Sequence, residues 1–164
     1  LDHEKPVVAY FADVAASGGY YIACGTRHIV ASPHTITGSI GVFHLLPDAS
    51  RLLERLEIGV DTIKLRQNAD FASPWRALTE PELHLLDQEV DEIYERFLDL
   101  VAEARKRPKD EIAAAAEGRV WLGKEAHARG LIDELGGLEA AVAAAGGGSG
   151  FFSSSSATSV PGEM

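Results

Sequence analysis

The apolar positions of this chain form short continuous runs in its first third and one long helical stripe near its middle. Residues 6–12, 28–32 and 35–42 are apolar runs with β-branched or aromatic members, and this pattern predicts three strands, the first buried on both faces. A shorter run at 60–65 predicts a fourth strand. Between the first two runs, residues 18–26 predict a short buried helix.

The clearest helix starts just after Thr79. That residue is a favoured N-cap, Pro81 falls in the first turn, and acidic side chains surround it. Apolar residues then recur at alternating steps of three and four, which predicts a helix over 80–107 of about seven turns. A helix of that length must lie across the domain or reach a neighbouring subunit.

Shorter helices accompany the long one and complete the predicted architecture. They are predicted at 48–56, 109–117, 124–129 and 138–145, and residues 131–134 are predicted to be extended or a turn. Short buried strands come first, and helices then cover and extend them. This order predicts the α/β class.

The composition fits one globular domain followed by a flexible tail. Of the 164 residues, 46% are hydrophobic and 24% are charged, which is enough for a sizeable core. We place the domain at 1–146, and the glycine- and serine-rich residues 147–164 predict a flexible low-complexity tail. The net charge of −10 argues against a nucleic-acid partner, because such a surface needs a basic patch.

Disulfide and metal chemistry have little support in the sequence. Cys24 is the single cysteine, so no internal disulfide forms, and its apolar neighbours predict a core position. The histidines are scattered and lack the paired spacing of a zinc site. Neither a metal nor a cofactor is expected.

One serine stands at the corner between the first predicted strand and the first predicted helix. The segment Asp13–Tyr21 passes through small residues to Ser17, and two glycines follow it. Hydrolases display a nucleophilic serine on such a corner, where glycines let a substrate approach and amide N–H groups are free at the helix start. The local pattern alone favours the simpler alternative, in which Ser17 only caps the helix.

Several segments, in order and without large gaps, carry a family resemblance across residues 5–145. They are Lys5–Val8, Asp13–Ala23, Thr37–Val42, Gly118–Ala126 and Gly130–Gly136. Together they resemble the signal peptide peptidase A family, also called protease IV. The resemblance implies a ClpP/crotonase-like α/β fold, partial here because N-terminal strands are missing, with a C-terminal helical extension.

By this resemblance the chain is expected to belong to a serine endopeptidase that cleaves hydrophobic signal peptides. The family works through a Ser–Lys dyad and an acyl-enzyme, forms ring-like homo-oligomers and needs no cofactor. The parent protein is expected to be anchored in the inner membrane of a bacterium, with its catalytic domain on the periplasmic face and this fragment soluble.

The resemblance also assigns roles to individual residues. Ser17 matches the nucleophile, and the backbone N–H of Gly18 matches one oxyanion donor. A lysine whose pKa is lowered by burial could activate the hydroxyl. In short members this lysine lies in the loop after the fourth strand, where this chain has Ala69. The nearest local lysine, Lys64, is predicted to be an ordinary exposed strand residue.

The chain therefore resembles the C-terminal half of a double-length member, with its base on the missing half. Its abrupt start at Leu1–Lys5 suggests that an upstream segment has been removed. The glycine-rich turn that gives the family its second oxyanion donor is also missing. Loss of one such donor lowers the rate by about 10²–10³, so the isolated fragment is expected to be impaired.

Two other functions stay open at this point. A crotonase-like acyl-CoA enzyme has the same fold without a serine nucleophile, and a non-catalytic half would only hold an oligomer together. The Ser17 corner disfavours both. Asp13 could be a triad acid, although a residue at this place more often caps a turn. Residues 38–41 resemble an anion-binding turn without its lysine, and the resemblance places them in the active-site floor or the peptide-binding wall.

Overall fold

The computed structural model describes residues 5–146, and the tail predicted at 147–164 lies outside them. The strands of the described part are β1 (Val8–Phe11), β2 (Val14–Ala16), β3 (His28–Ala31), β4 (Ile36–Gly38), β5 (Val120–Leu122) and β6 (Glu134–Leu135). The helices are α1 (Gly18–Ala23), α2 (Ser50–Arg55), α3 (Glu80–Arg105), α4 (Lys109–Ala115), α5 (Gly123–Ala128) and α6 (Leu138–Gly146).

The strands form two small sheets. In the first sheet, β3 lies between β1 and β6 and runs parallel to both. In the second, β4 lies between β2, which is parallel to it, and β5, which is antiparallel. Consecutive strands β1 and β2 thus enter different sheets, and α1 returns the chain from the second sheet to the first. The mixed α/β class predicted from the sequence is confirmed.

One hydrophobic core joins the first sheet to the helices. Its fully buried side chains include Tyr20 of α1, Ile29 of β3, Val101 of α3 and Ile112 of α4. Complete burial of one large apolar side chain contributes about 1.5–3 kcal/mol. The core therefore holds α1, the helix that follows Ser17, firmly against the rest of the domain.

The long helix α3 begins with a capping box, as its sequence indicates. The backbone N–H of Thr79 donates to the carboxylate of Glu82 at 2.8 Å, and the Thr79 side chain caps the N–H of Glu82 in return. The helix ends where Lys106 takes a left-handed conformation with φ of 52°. Its apolar residues Phe97 and Val101 are buried in the core, so α3 lies across the domain.

The prediction of a strand at residues 60–65 is wrong. Residues 58–65, called the exposed arm below, form neither a helix nor a strand. Ile63 and Leu65 are each 97% exposed. The arm carries the side-chain pattern of a strand, but within the described residues no neighbouring backbone completes a ladder with it.

Two short strands, β2 and β5, are missing from the sequence-based prediction. Each has three residues and exists through its pairing with β4, which the sequence does not reveal. The first predicted strand is present as β1, but it is not buried on both faces. Only Phe11 is fully buried, and Val8, Ala9 and Tyr10 are half-buried.

Candidate active site

Ser17 lies at the turn between β2 and α1 in a strained backbone conformation. Its φ of 52° and ψ of −119° lie in a region that residues with a side chain rarely adopt. Its side chain makes no capping hydrogen bond to α1. A serine that serves as an N-cap has unstrained backbone angles, and its side-chain oxygen accepts a hydrogen bond from an N–H of the first turn. Helix capping therefore does not explain this residue.

Backbone hydrogen bonds hold the turn on both sides of the serine. The Ser17 N–H donates to the Gly38 carbonyl at 2.9 Å, and the Tyr21 N–H donates to the Ser17 carbonyl at 2.8 Å. One position beyond β4, the Ser39 N–H donates to the Arg119 carbonyl at 2.7 Å. Strain of about 1–3 kcal/mol persists only where the surrounding structure enforces it. The pairing with β4 supplies that constraint.

The backbone N–H of Gly18 follows the serine directly. In the described part of the chain it donates to no acceptor, as expected for the first residue of a helix. The nucleophile candidate and the oxyanion donor candidate are thus adjacent on one turn.

Two adjoining cavities open beside Ser17, and residues 41–43 also line both. The larger, called the polar cavity below, has a volume of about 440 Å³. Its other lining residues are Ser39, Val90, Asp91, Tyr94, Glu117 and Gly118. The smaller, called the apolar cavity, has a volume of about 260 Å³. Its other lining residues are Gly18, Tyr21, Ile93 and Phe97.

Two carboxylates, Asp91 and Glu117, line the polar cavity, and they differ in their ion pairs with described residues. Glu117 pairs with Arg119 at 2.7 Å, and its backbone N–H donates to the Tyr94 hydroxyl at 3.2 Å. Asp91 makes no ion pair with any described residue. The wall of this cavity therefore carries one uncompensated negative charge.

Two glycines near the serine lie where a Cβ atom would collide with a neighbouring residue. A Cβ on Gly41 would lie 2.8 Å from the Cα of Gly118, and a Cβ on Gly38 would lie 2.8 Å from the Trp121 ring. Gly38 also has φ of +78°.

Ser39 has φ of 49° and lines the polar cavity together with Ser17. It belongs to residues 38–41, which the resemblance places in the active-site floor or the peptide-binding wall. The α3 side of the site has no signal in the local sequence. Asp91 and Tyr94 of α3 form the opposite wall. Spacing along the helix shows only that these two side chains share a side of α3, not that this side faces the serine turn.

The structure does not bring a lysine to Ser17. The Lys64 ammonium lies 2.9 Å from the Asp70 carboxylate and 3.2 Å from the Gln67 carbonyl, and Lys64 lines neither cavity. The same is true of every other lysine among residues 5–146. Hydrogen bonds from Arg76 and Lys64 hold the pKa of the Asp70 carboxyl well below its usual range. Lys64 thus forms its ion pair within its own loop.

The remaining candidates from the sequence lie away from the cavities. The Asp13 carbonyl accepts the Ile36 N–H at 2.8 Å, a bond that belongs to the pairing of β2 with β4. His28 contacts Glu134 at 3.1 Å, and no group of three or more potential metal ligands occurs among the described residues. Between residues 5 and 146 there is also no helix with the length and apolarity needed to span a bilayer.

Comparison with known proteins decides the family. The sequence profile of peptidase family S49 matches residues 1–150. The chain belongs to this family. It is therefore a serine-type peptidase domain, with the strained Ser17 and its cavities as the candidate S49 active site.

Three relatives of this S49 chain carry protease names. It is 42% identical to the chloroplastic serine protease SPPA of Arabidopsis thaliana over 144 residues, which are 87% of this chain and 21% of that protein. It is 40% identical to protease 4 of Salmonella typhi over 139 residues, which are 85% of this chain and 22% of that protein. It is 37% identical to the putative protease MJ0651 of Methanocaldococcus jannaschii over 142 residues, 87% of this chain and 46% of that protein. The S49 chain thus spans from a fifth to almost half the length of these relatives.

Proposed function

We propose that this domain forms the nucleophile half of a serine endopeptidase of the signal peptide peptidase A type. Ser17 is the nucleophile and the Gly18 N–H is one oxyanion donor. The observation that carries the proposal is the strained Ser17, which makes no side-chain capping bond and lines two cavities. Backbone strain of this kind concentrates at functional sites.

The reaction follows from the chemistry of a serine and a neutral amine. A base takes the proton of the Ser17 hydroxyl while its oxygen attacks the scissile carbonyl carbon. The negative charge that develops on the carbonyl oxygen is stabilised by the Gly18 N–H. The protonated base then gives its proton to the leaving amine, which leaves an acyl-enzyme. Water, deprotonated by the same base, releases the second product.

The base in this proposal is a lysine supplied by a second S49 unit. No lysine of the described residues lines either cavity, so the dyad is incomplete within them. The lengths of the relatives leave room for a second unit. We therefore propose that this chain is the C-terminal half of a double-length enzyme with a ClpP/crotonase-like fold, in a parent protein anchored to a bacterial inner membrane.

The apolar cavity supports a hydrophobic peptide as the substrate. Tyr21, Ile93 and Phe97 line it next to Gly18, the proposed oxyanion donor. Tyr21 and Phe97 meet edge to face with their centroids 4.9 Å apart, so they form a stable aromatic wall. A large apolar side chain of the substrate would leave water on entering this cavity, which favours binding.

The exposed arm supports assembly with another S49 unit. On α3, Phe97, Leu98 and Val101 are buried in the core of this domain, and Leu83, Leu85 and Ile93 are partly exposed. Ile63 and Leu65 of the arm are instead open to solvent. Ile58 and Val60 of the same arm are exposed as well. Large exposed apolar patches mark interaction sites.

Covalent labelling of the full-length enzyme tests the function. A fluorophosphonate should modify the enzyme at Ser17, and Ser17→Ala should abolish both labelling and peptide cleavage. Ser50→Ala on α2, which lines neither cavity, should change neither. Full cleavage by Ser17→Ala would sink the proposal. Cleavage of acyl-CoA without labelling would favour a crotonase-like enzyme instead.

A further inference from the structure

The first turn of α1 has little side-chain packing of its own. It begins Gly18–Gly19, and a Cβ on either residue would meet no atom within 4 Å. Tyr20 is the first residue of this helix that carries a side chain. Whatever fixes the direction of the Gly18 N–H must therefore act through the backbone bonds of Ser17 or through Tyr20.

Tyr20 is anchored deep in the domain. Its side chain is fully buried, its hydroxyl donates to the Leu131 carbonyl at 2.7 Å, and its ring meets Phe11 edge to face at 6.2 Å. Burial raises the pKa of the Tyr20 hydroxyl, so this group keeps its proton and remains a donor at all working pH values. The bond joins the helix that bears Gly18 to residues 130–133.

Residues 130–133 are themselves fixed from two sides. The Arg105 guanidinium, at the end of α3, donates to the Gly130 carbonyl and pairs with the Asp133 carboxylate. The same carboxylate accepts the Ile29 N–H of β3 at 2.8 Å, and the Asp133 N–H donates to the Ile29 carbonyl at 3.0 Å. The Arg105 side chain is 7% exposed and the Asp133 side chain is 28% exposed, so the ion pair is shielded from water mainly on the arginine side. The carbonyl that holds Tyr20 is thus a rigid acceptor.

We propose that Tyr20 is a positioning residue, whose hydroxyl bond to the Leu131 carbonyl orients the first turn of α1 and aims the Gly18 N–H at the developing oxyanion. The inference rests on the proposed function. It adds that the precision of the oxyanion site comes from the 130–133 segment and its Arg105–Asp133 pair. Ser17 is held separately, by its own bond to Gly38.

The test is Tyr20→Phe in the full-length enzyme, which removes one hydroxyl and keeps the ring. Small misplacement of a catalytic group lowers the rate by up to about 100-fold, and we expect kcat to fall about 10-fold with KM within about 2-fold. A peptide aldehyde, which forms a tetrahedral adduct on serine, should bind more weakly by the same factor. Rates are taken per site titrated with fluorophosphonate, so unfolded protein does not count.

The matched control is Tyr10→Phe on β1, because Tyr10 is half-buried and no described residue bonds its hydroxyl. It should leave kcat and aldehyde affinity unchanged. If Tyr20→Phe does not fold, Asp133→Asn carries the same expectation with a loss of kcat of about 3-fold, since it weakens the pair with Arg105. An unchanged kcat per titrated site overturns the inference, even with a lower melting temperature. Cleavage that survives Ser17→Ala overturns the proposed function instead.

Discussion

Ser17 has a backbone conformation that glycine would adopt without strain. With φ of 52° and ψ of −119°, any residue with a Cβ meets steric conflict there. The conflict is tolerated because the Ser17 N–H is tied to Gly38 on β4. The residue thus stores free energy in the folded state, and this follows from its geometry alone.

The stored strain predicts an unusual order of stability. Ser17→Gly should unfold at higher denaturant concentration than Ser17→Ala, by about 1 kcal/mol, since strain of about 1–3 kcal/mol exceeds the entropy that glycine adds to the unfolded chain. Urea unfolding of the two variants measures the difference. Ala104→Gly inside α3 is the control and should destabilise by about 0.5–1 kcal/mol. Equal stability of the two Ser17 variants would show that the turn is relaxed.

The site is predictable from the sequence where its residues lie within short contiguous motifs. Ser17 and Gly18 lie on a contiguous strand–turn–helix segment, so local pattern and resemblance single them out. Asp91 and Tyr94 complete the polar cavity from α3. No local rule predicts which face of a long helix lies over a distant turn, because long-range packing determines it.

At the scale of elements, local signals explain what could be predicted. The capping box and apolar stripe of α3 are contained in its own sequence, and the predicted helix at 80–107 matches the observed Glu80–Arg105. β2 and β5 are defined by pairing with β4 and were missed. The 60–65 prediction failed for the opposite reason, since a strand pattern without a partner forms no strand.

The start of α3 is held by a charge pair that acid should break. Glu82 is 7% exposed and accepts hydrogen bonds from Arg76 and Thr79, which lower its pKa from 4.5 to about 2. A carboxyl with a depressed pKa in the folded state adds stability above its unfolded pKa and loses it as pH falls through the folded one. The contribution should therefore disappear between pH 4.5 and about 2.

Glu82→Gln should reduce the loss of folding stability at acid pH. The variant is expected to be less stable than wild type at pH 7 and to lose less stability between pH 4.5 and about 2. Thermal unfolding across that range is the measurement. Glu80→Gln, in the same first turn but outside the Arg76 pair, should follow the wild-type curve. A Glu82→Gln curve parallel to wild type contradicts the assignment.

At the scale of the whole molecule, the described residues hold a candidate nucleophile with no lysine beside it and an apolar arm that no other described segment covers. The chain spans 21% of one relative and 46% of another, so its longer relatives contain far more sequence than this domain. The second S49 unit that we propose would account for both features, since it could bring a lysine to Ser17 and cover Ile63 and Leu65.

Charge on the exposed arm should therefore disrupt assembly. Ile63→Asp combined with Leu65→Asp is expected to reduce the oligomer size of the parent protein, because a carboxylate resists burial in an apolar contact. Light scattering after size-exclusion chromatography measures the size. Thr62→Asp adds one negative charge at a polar position of the arm without removing an apolar side chain, and it should leave assembly intact. An unchanged oligomer in the double variant would show that the arm stays open.

The contact between Gly41 and Gly118 has a consequence for how the specificity of such a site could diverge. Both residues line the polar cavity, and a Cβ on Gly41 would lie 2.8 Å from the Gly118 backbone. A wall made of main chain offers no side chain to exchange. Point substitutions that reshape this cavity without displacing backbone thus fall on its other lining residues, among them Val90, Asp91 and Tyr94 of α3. Those positions are open to evolutionary variation, whereas the part of the wall formed by Gly41 and Gly118 is fixed by the path of the chain.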